Sequence, residues 1–268
     1  MVMAQSLFIE LKTQYPNSLI DVLALDWTKA LLARMPEVNE AIAMPVSHGV
    51  LGIRSRYQLG KRLRDKQYDQ AFVLPNSWKS ALIPWFANIP IRTGWKGEQR
   101  YGLLNDIRAL NKQALPLMVE RFVSLAHPKS QCEQVPNYSP PLMIAGHSDY
   151  ELPKLAKNQK RLILCPGAEF GPAKQWPAEY YAEVASQLLS EGWQVILLGS
   201  KGDRDIADRI CFQCNDEETH LLFNLTGETT LEQAIDLLAT ANMVVSNDSG
   251  LMHIASALHV PLIVIYRS

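Results

Sequence analysis

The stretch MVVSNDSGLMHIASALHVPLIVIY, Met243 to Tyr266, reads as strand, tight turn, helix and strand. Met243 to Ser246 are mostly apolar and β-branched, which suits a buried parallel strand. Asn247, Asp248, Ser249 and Gly250 are turn and N-cap residues. Leu251 to Leu258 then keep helical spacing, Pro261 prevents continuation, and Leu262 to Ile265 form a second apolar strand. Two parallel strands joined by a helix make the crossover unit of an α/β fold.

The turn is where chemistry is expected. The first turn of a helix presents unpaired N–H groups and a partial positive charge, so Ser249 and Gly250 are placed to hold a phosphate. Gly250 allows a ligand close to the backbone. Leu251, Ile254, Ala255 and Leu258 share one helical face, and His253 falls nearly opposite, away from the core. A capped core helix with an exposed histidine is the other reading, and the stretch alone leaves both open.

Working outward, the second half of the chain repeats the pattern. A strand at Arg161 to Cys165 leads into the loop PGAEFGPAKQWP, followed by a helix from Ala178 to Ser190 and a strand from Gln194 to Leu198. After the loop GSKGD come a helix from about Arg204 to Cys214, a short strand at Leu221 to Leu225 and a helix at Thr230 to Ala239. The first half alternates too: helices at Met1 to Tyr15, Trp27 to Met35, Arg54 to Gln67, Ser77 to Phe86 and Pro116 to Ala126, strands at Leu19 to Leu25, Ala41 to Met44, Ala71 to Leu74 and Ile91 to Trp95. From His127 to Lys160 five prolines punctuate a polar stretch, which reads as the end of one domain and a linker. The expected organisation is two α/β domains, 1–155 and 156–268, with mainly parallel sheets and a cleft between them. The opening helix has no strand before it, and in a doubly wound sheet the first strand is central, so a gap is expected in the first sheet.

The loop from Pro166 to Pro177 carries Gly167, Gly171 and one lysine, Lys174, at the C-terminal edge of a parallel strand, a position where ligands bind. A lysine there can neutralise a departing diphosphate, although most surface lysines are only solvated. The chain has no G-x-G-x-x-G after a strand and no Walker lysine motif, which argues against a dehydrogenase and a P-loop NTPase. Arg54, Arg56, Lys61, Arg62, Arg64 and Lys66 surround one acid, Asp65, and Arg92, Lys96 and Arg100 add a second basic group. Solvated faces are the ordinary reading of such runs; contact with an anionic acceptor is the other.

With 26 Lys and Arg against 27 Asp and Glu, the net charge of −1 provides no global field for nucleic acid. No apolar run is long enough to span a membrane and no secretory signal is visible, so a cytoplasmic protein is expected. Of four cysteines, Cys211 and Cys214 form a C-x-x-C late in a helix, without the second ligand pair that zinc requires; reduced thiols fit better.

The segments LLARMPEVNEAI (Leu31 to Ile42), YDQAFVLPNSWKSALIPWFANIPIRTGWKGEQRYGLLND (Tyr68 to Asp106), PLMVERF (Pro116 to Phe122), CPGAEFGPAKQWP (Cys165 to Pro177) and SNDSGLMHIASAL (Ser246 to Leu258) together resemble glycosyltransferase family 9. The resemblance spans nearly the whole chain and implies a GT-B fold of two Rossmann-like domains, an acceptor-side one and an ADP-sugar-binding one. It implies inverting transfer of L-glycero-D-manno-heptose from ADP-heptose to heptose I of the lipopolysaccharide inner core, at the cytoplasmic face of the inner membrane, with peripheral membrane contact. Lys174 matches the family's phosphate-contacting lysine, and Asp248, Ser249, Gly250 and His253 match its D-[TS]-G-x-x-H nucleotide site. Neither a metal nor another cofactor is implied, since Lys174 and the helix start meet the charge of the departing ADP. The family pattern opens with a strand and a Gly-rich loop ending in Gly-Asp, whose aspartate is the general base, and it continues past Tyr266 into further helices. On that reading the chain is shortened at both ends and contains no assignable catalytic residue. The alternative function is then an inactive remnant that at most binds a nucleotide.

Overall fold

The structure is a computed structural model that describes residues 1–47, 49–133, 159–167, 175–214 and 220–266. The chain divides into two compact units, essentially residues 3–141 and 142–268. The expected boundary at 155/156 lies outside the described residues.

The second unit is a five-stranded, all-parallel sheet. Its strands are β6 (Arg161–Cys165), β7 (Gln194–Leu197), β8 (Leu222–Asn224), β9 (Met243–Asn247) and β10 (Leu262–Ile265), in the order β10-β9-β6-β7-β8. The central strand β6 buries Leu162, Ile163 and Leu164 consecutively, because a parallel strand covered on both faces has no solvent side to alternate towards. The helices α6 (Ala178–Ser190), α7 (Arg204–Gln213), α8 (Leu231–Ala239) and α9 (Gly250–Ala257) connect these strands. Tyr181, Ala182, Ala185 and Leu189 of α6 and Ile206, Ala207 and Ile210 of α7 pack on Leu162, Leu164, Val195 and Leu197 as one core. Thr230 caps α8: its hydroxyl accepts from the Gln233 N–H (3.2 Å), while Gln233 Oε1 accepts from the Thr230 N–H (2.8 Å). The chain runs outward from β6 through β7 to β8, then returns to β9 on the other side of β6. The direction of winding therefore reverses between β6 and β9.

The first unit has the same chemistry but a divided sheet. Strands β1 (Ile20–Ala24) and β2 (Val38–Ala43) pair in parallel, and β3 (Gln70–Phe72), β4 (Ile91–Trp95) and β5 (Asp106–Arg108) form a separate parallel sheet. The two sheets are separate: β1 and β3 each pair on one edge only among the described residues. Burial reflects this, since no residue of β2 or β3 is fully buried, in contrast to β6. Around the sheets lie α1 (Gln5–Gln14), α2 (Lys29–Leu32), α3 (Ile53–Leu63), α4 (Leu82–Phe86) and α5 (Met118–Val123).

Several expectations need correction. Strand β5 falls between Trp95 and Pro116, where the sequence pattern predicts no strand or helix. Pro116 is outside α5, whose N-cap is Leu117; the Glu120 carboxylate bonds the Leu117 N–H (2.8 Å) and so sets the helix start. Three of the arginines read as solvated are structural. Arg56 is buried and donates to the carbonyls of Leu51 (2.6 Å), Val50 (3.3 Å) and Lys79 (3.2 Å). Arg92 donates to Leu103 (2.6 Å) and Ile89 (2.5 Å), and Arg100, 1% exposed, to Pro75 (2.6 Å) and Trp95. A guanidinium has five donors in a fixed fork and can satisfy several carbonyls at once.

Candidate nucleotide site

The reversal between β6 and β9 is the position at which open α/β sheets bind ligands, beyond the carboxyl ends of the strands. Two segments meet there. Cys165, Pro166 and Gly167 leave the end of β6, and Asn247, Asp248 and Ser249 lead from β9 into α9.

The α9 start is open rather than capped. Ser249 has the extended backbone of an N-cap (φ −142°, ψ 172°), yet its side chain makes no cap hydrogen bond. Its Oγ lies instead 3.3 Å from Ser246 Oγ, which donates to the Asn247 carbonyl (2.7 Å). The first N–H groups of α9 therefore have no hydroxyl cap from Ser249, and a helix start of this kind suits an anion. A Cβ placed on Gly250 would meet nothing within 4 Å, so space above the helix start is open.

The four predicted residues in this segment, Asp248, Ser249, Gly250 and His253, are adjacent at the helix start. His253 is half-buried, so it does not stand clear of the core as its helical position suggests. The buried positions of α9 are Met252, Ile254, Ala255 and Ala257, while Leu251 and Leu258 are half-buried; the inward face is rotated relative to the pattern of leucines. Burial lowers the His253 pKa, and the Asp248 carboxylate opposes this. Lys174 lies outside the described residues.

Sequence patterning gives Asn247 only a turn role, but the structure makes it the last residue of β9 and the tie that binds the site. Asn247 is fully buried. Its Nδ2 donates to the Pro166 carbonyl (2.8 Å), and its Oδ1 accepts from the Trp176 N–H (3.1 Å). One side chain thereby fixes both ends of the loop that contains Lys174. Asp203 was also missed. Its Oδ2 accepts from the Ser200 N–H (2.8 Å) and hydroxyl (2.7 Å), and its carboxylate packs so closely on Gly167 that a Cβ there would come within 2.5 Å of it. Only a glycine after β6 permits that approach. Burial and the Asp203 charge push the Cys165 thiol up to about 12, so it is inert beside the site. The Cys211 thiol is likewise pushed up, to about 11, chiefly by burial, and all four cysteines are free.

Among the described residues, no three His, Cys, Asp or Glu side chains cluster as a metal site, and no helix is long and apolar enough to cross a membrane. The sequence pattern of glycosyltransferase family 9 (heptosyltransferase) matches residues 56–268. The chain belongs to glycosyltransferase family 9. Within the family it is 50% identical to lipopolysaccharide heptosyltransferase 2 of Escherichia coli strain K12 over 99% of this chain and 79% of the relative. It is 52% identical to the protein of the same name from Salmonella typhimurium strain LT2, with the same coverage. The solved structure of E. coli ADP-heptose lps heptosyltransferase II, 47% identical, superposes with a TM-score of 0.89 over 99% of this chain and 81% of that one. The family member described here is accordingly a glycosyltransferase with the GT-B fold, of the heptosyltransferase type that serves lipopolysaccharide core synthesis. An inactive remnant is not favoured by identity this high over nearly the whole chain.

Proposed function

We propose that this protein transfers L-glycero-D-manno-heptose from ADP-heptose to heptose I of the lipopolysaccharide inner core, with inversion at the anomeric carbon, at the cytoplasmic face of the inner membrane. The observation that supports this reading above others is the uncapped start of α9 at the sheet's winding reversal. An ADP-sugar needs its diphosphate held and, as the glycosidic bond forms, the charge of departing ADP stabilised. Ser249 and Gly250 supply backbone donors and the positive end of α9 for this.

The remaining roles follow from chemistry. In this reading Lys174, which falls in the sequence between Pro166 and Trp176, the two residues that Asn247 bonds, brings a full positive charge to the phosphates. A lowered His253 pKa favours the neutral imidazole, which can donate to a phosphate oxygen without the desolvation cost of a cation. Asp248, whose charge acts on His253, accepts hydrogen bonds from the nucleotide side in this reading. The donor set consists of nitrogen donors and one lysine, so the reaction proceeds in this reading without metal or cofactor. The second unit is the ADP-sugar side and the first unit the acceptor side.

Isothermal titration of ADP into the protein and into Lys174→Ala tests the reading. We expect the variant to bind about tenfold more weakly, the loss of one charge-assisted phosphate contact. Equal affinity in a folded variant would remove Lys174 from the site. Failure of the parent protein to turn over ADP-heptose on a heptose-I acceptor would overturn the reaction itself.

A further inference from the structure

The first unit carries a surface that the nucleotide site does not use. Val50, Leu51, Ile53, Tyr57, Trp78 and Trp85 are each between 38% and 51% exposed. Single exposed apolar residues are ordinary, but these are linked into one patch. Buried Arg56 donates to the carbonyls of Val50, Leu51 and Lys79, which holds the 50–51 loop, α3 and the Trp78 turn against each other with their side chains outward. Lys79 Nζ reinforces this by donating to the Gly49 carbonyl (3.1 Å). On the other side, Tyr57 packs edge-on against Phe86 (5.3 Å between ring centroids), and Phe86 against Trp85 (5.1 Å).

The charges around the patch identify what it meets. Residues 49–64 contain no acid, while Arg54, Lys61 and Arg62 are exposed and form no ion pair among the described residues. Ile53 and Tyr57 lie one turn apart on α3, and Lys61 continues the same row. The whole chain has a net charge of −1, so this positive charge is local. Apolar and aromatic side chains bordered by cations match the boundary between acyl chains and anionic headgroups, where Trp and Tyr also sit favourably.

We propose that this face of α3 and the 50–51 loop docks the enzyme on a bilayer containing anionic phospholipid. This deepens the membrane-side part of the function proposed above and rests on it. Binding of this kind is reversible and salt-sensitive, because one shallow apolar patch and a few surface cations make only a modest anchor.

Flotation of the full chain with phosphatidylcholine vesicles, with and without phosphatidylglycerol, tests the proposal, with turnover on a water-soluble heptose-I acceptor measured in parallel. The parent should float with anionic vesicles and not with neutral ones. Arg54→Ser and Lys61→Ser should each lower partitioning about fivefold, and the pair about 25-fold. Ile53→Ser should lower it about fivefold with the charge unchanged. Folding of each variant is checked by its circular dichroism melt. A folded parent that stays with the unbound fraction, or variants that float as well as the parent, would overturn the docking. So would variants that lose turnover on the soluble acceptor as steeply as they lose flotation, since the surface would then bind the saccharide. Flotation without any turnover would instead sink the proposed reaction and leave the docking standing.

Discussion

Replacement of Asn247 by alanine should loosen the nucleotide site from beneath. The side chain is fully buried and makes two hydrogen bonds to main-chain groups that have no other role in the sheet. Alanine leaves the buried Pro166 carbonyl without its donor, a loss of about 1–3 kcal/mol. It also removes the acceptor of the half-buried Trp176 N–H, which water can partly replace, at about 0.5–1.5 kcal/mol. The sum, roughly 1.5–4.5 kcal/mol, is a large share of the ~5–15 kcal/mol that holds a domain folded. Asn247→Asp sharpens the test. An ionised aspartate accepts from Trp176 but sets a carboxylate against the Pro166 carbonyl in a dry site, so it should be at least as damaging as alanine at about pH 8. Burial raises the pKa of that new carboxyl, and its protonated form is isosteric with asparagine, donating to Pro166 and accepting from Trp176. Stability of the aspartate variant relative to parent should therefore recover as the pH falls towards about 5, while the alanine variant stays low. Urea unfolding monitored at both pH values reads the stability. Hydrogen exchange of the Trp176 amide, expected at least about tenfold faster in the alanine variant, reads the local release. An alanine variant within about 0.5 kcal/mol of parent with unchanged Trp176 exchange would refute the reasoning.

His253 has its pKa lowered by burial, so it contributes stability that is constant above the ordinary value of about 6.5 and is lost as the pH falls from there through the folded value, where the unfolded chain takes the proton first; an NMR titration midpoint at or above 6.5 would contradict this. Gly60→Ala should destabilise the first unit by about 1–2 kcal/mol, because a Cβ there would lie 2.5 Å from Phe86 Cβ and 3.0 Å from the Ile83 carbonyl oxygen, an overpacking larger than the ~1 kcal/mol gain in helix propensity; a higher melting temperature would show that α3 and α4 can part cheaply. Arg100→Met should lower the stability of the same unit by about 1–3 kcal/mol, since the carbonyl of buried Trp95 and that of exposed Pro75 lose a charged donor, and Arg100→Lys should rescue less than half because an ammonium does not span both; full rescue by lysine, seen in urea midpoints, would mean that charge rather than fork geometry matters.

The parts of the fold that were legible in the sequence are those in which side chains report their own environment. In the second unit β6 to β10 read as apolar runs because each lies within a parallel sheet, and α8 read from the spacing of Leu231, Ala234, Ile235 and Leu238, of which all but the half-buried Leu231 are buried. Strand β5 did not read, because Asp106, Ile107 and Arg108 contain one apolar residue. It forms because β4 offers an edge and because Arg108 donates to the carbonyls of Ser124 (3.0 Å) and His127 (2.7 Å), which fixes the chain beyond it. The open turn at the start of α9 was legible from its residue types. The orientation of α9 was not, since Met252 rather than Leu251 faces inward, and both look equally apolar in a sequence.

Asn247, Arg56 and Arg100 show why the rest was hidden. Each acts on backbone groups: Asn247 on residues 71 and 81 positions away, Arg56 and Arg100 on carbonyls of neighbouring loops. A backbone carbonyl is the same at every residue, so a side chain that binds one creates no complementary partner type to recognise. A salt bridge or an apolar stripe names both of its halves, whereas these contacts name only one. That asymmetry falls hardest on functional sites, because loops at the ends of parallel strands carry many main-chain groups that no sheet satisfies. The residues proposed to touch ADP are candidates read from the chain, whereas Asn247, which ties Pro166 to Trp176, could be found only from geometry. Loss of the holding residue should then look like loss of the ligand contacts, which is why the Trp176 amide, and not activity alone, separates the two roles of Asn247 and Lys174.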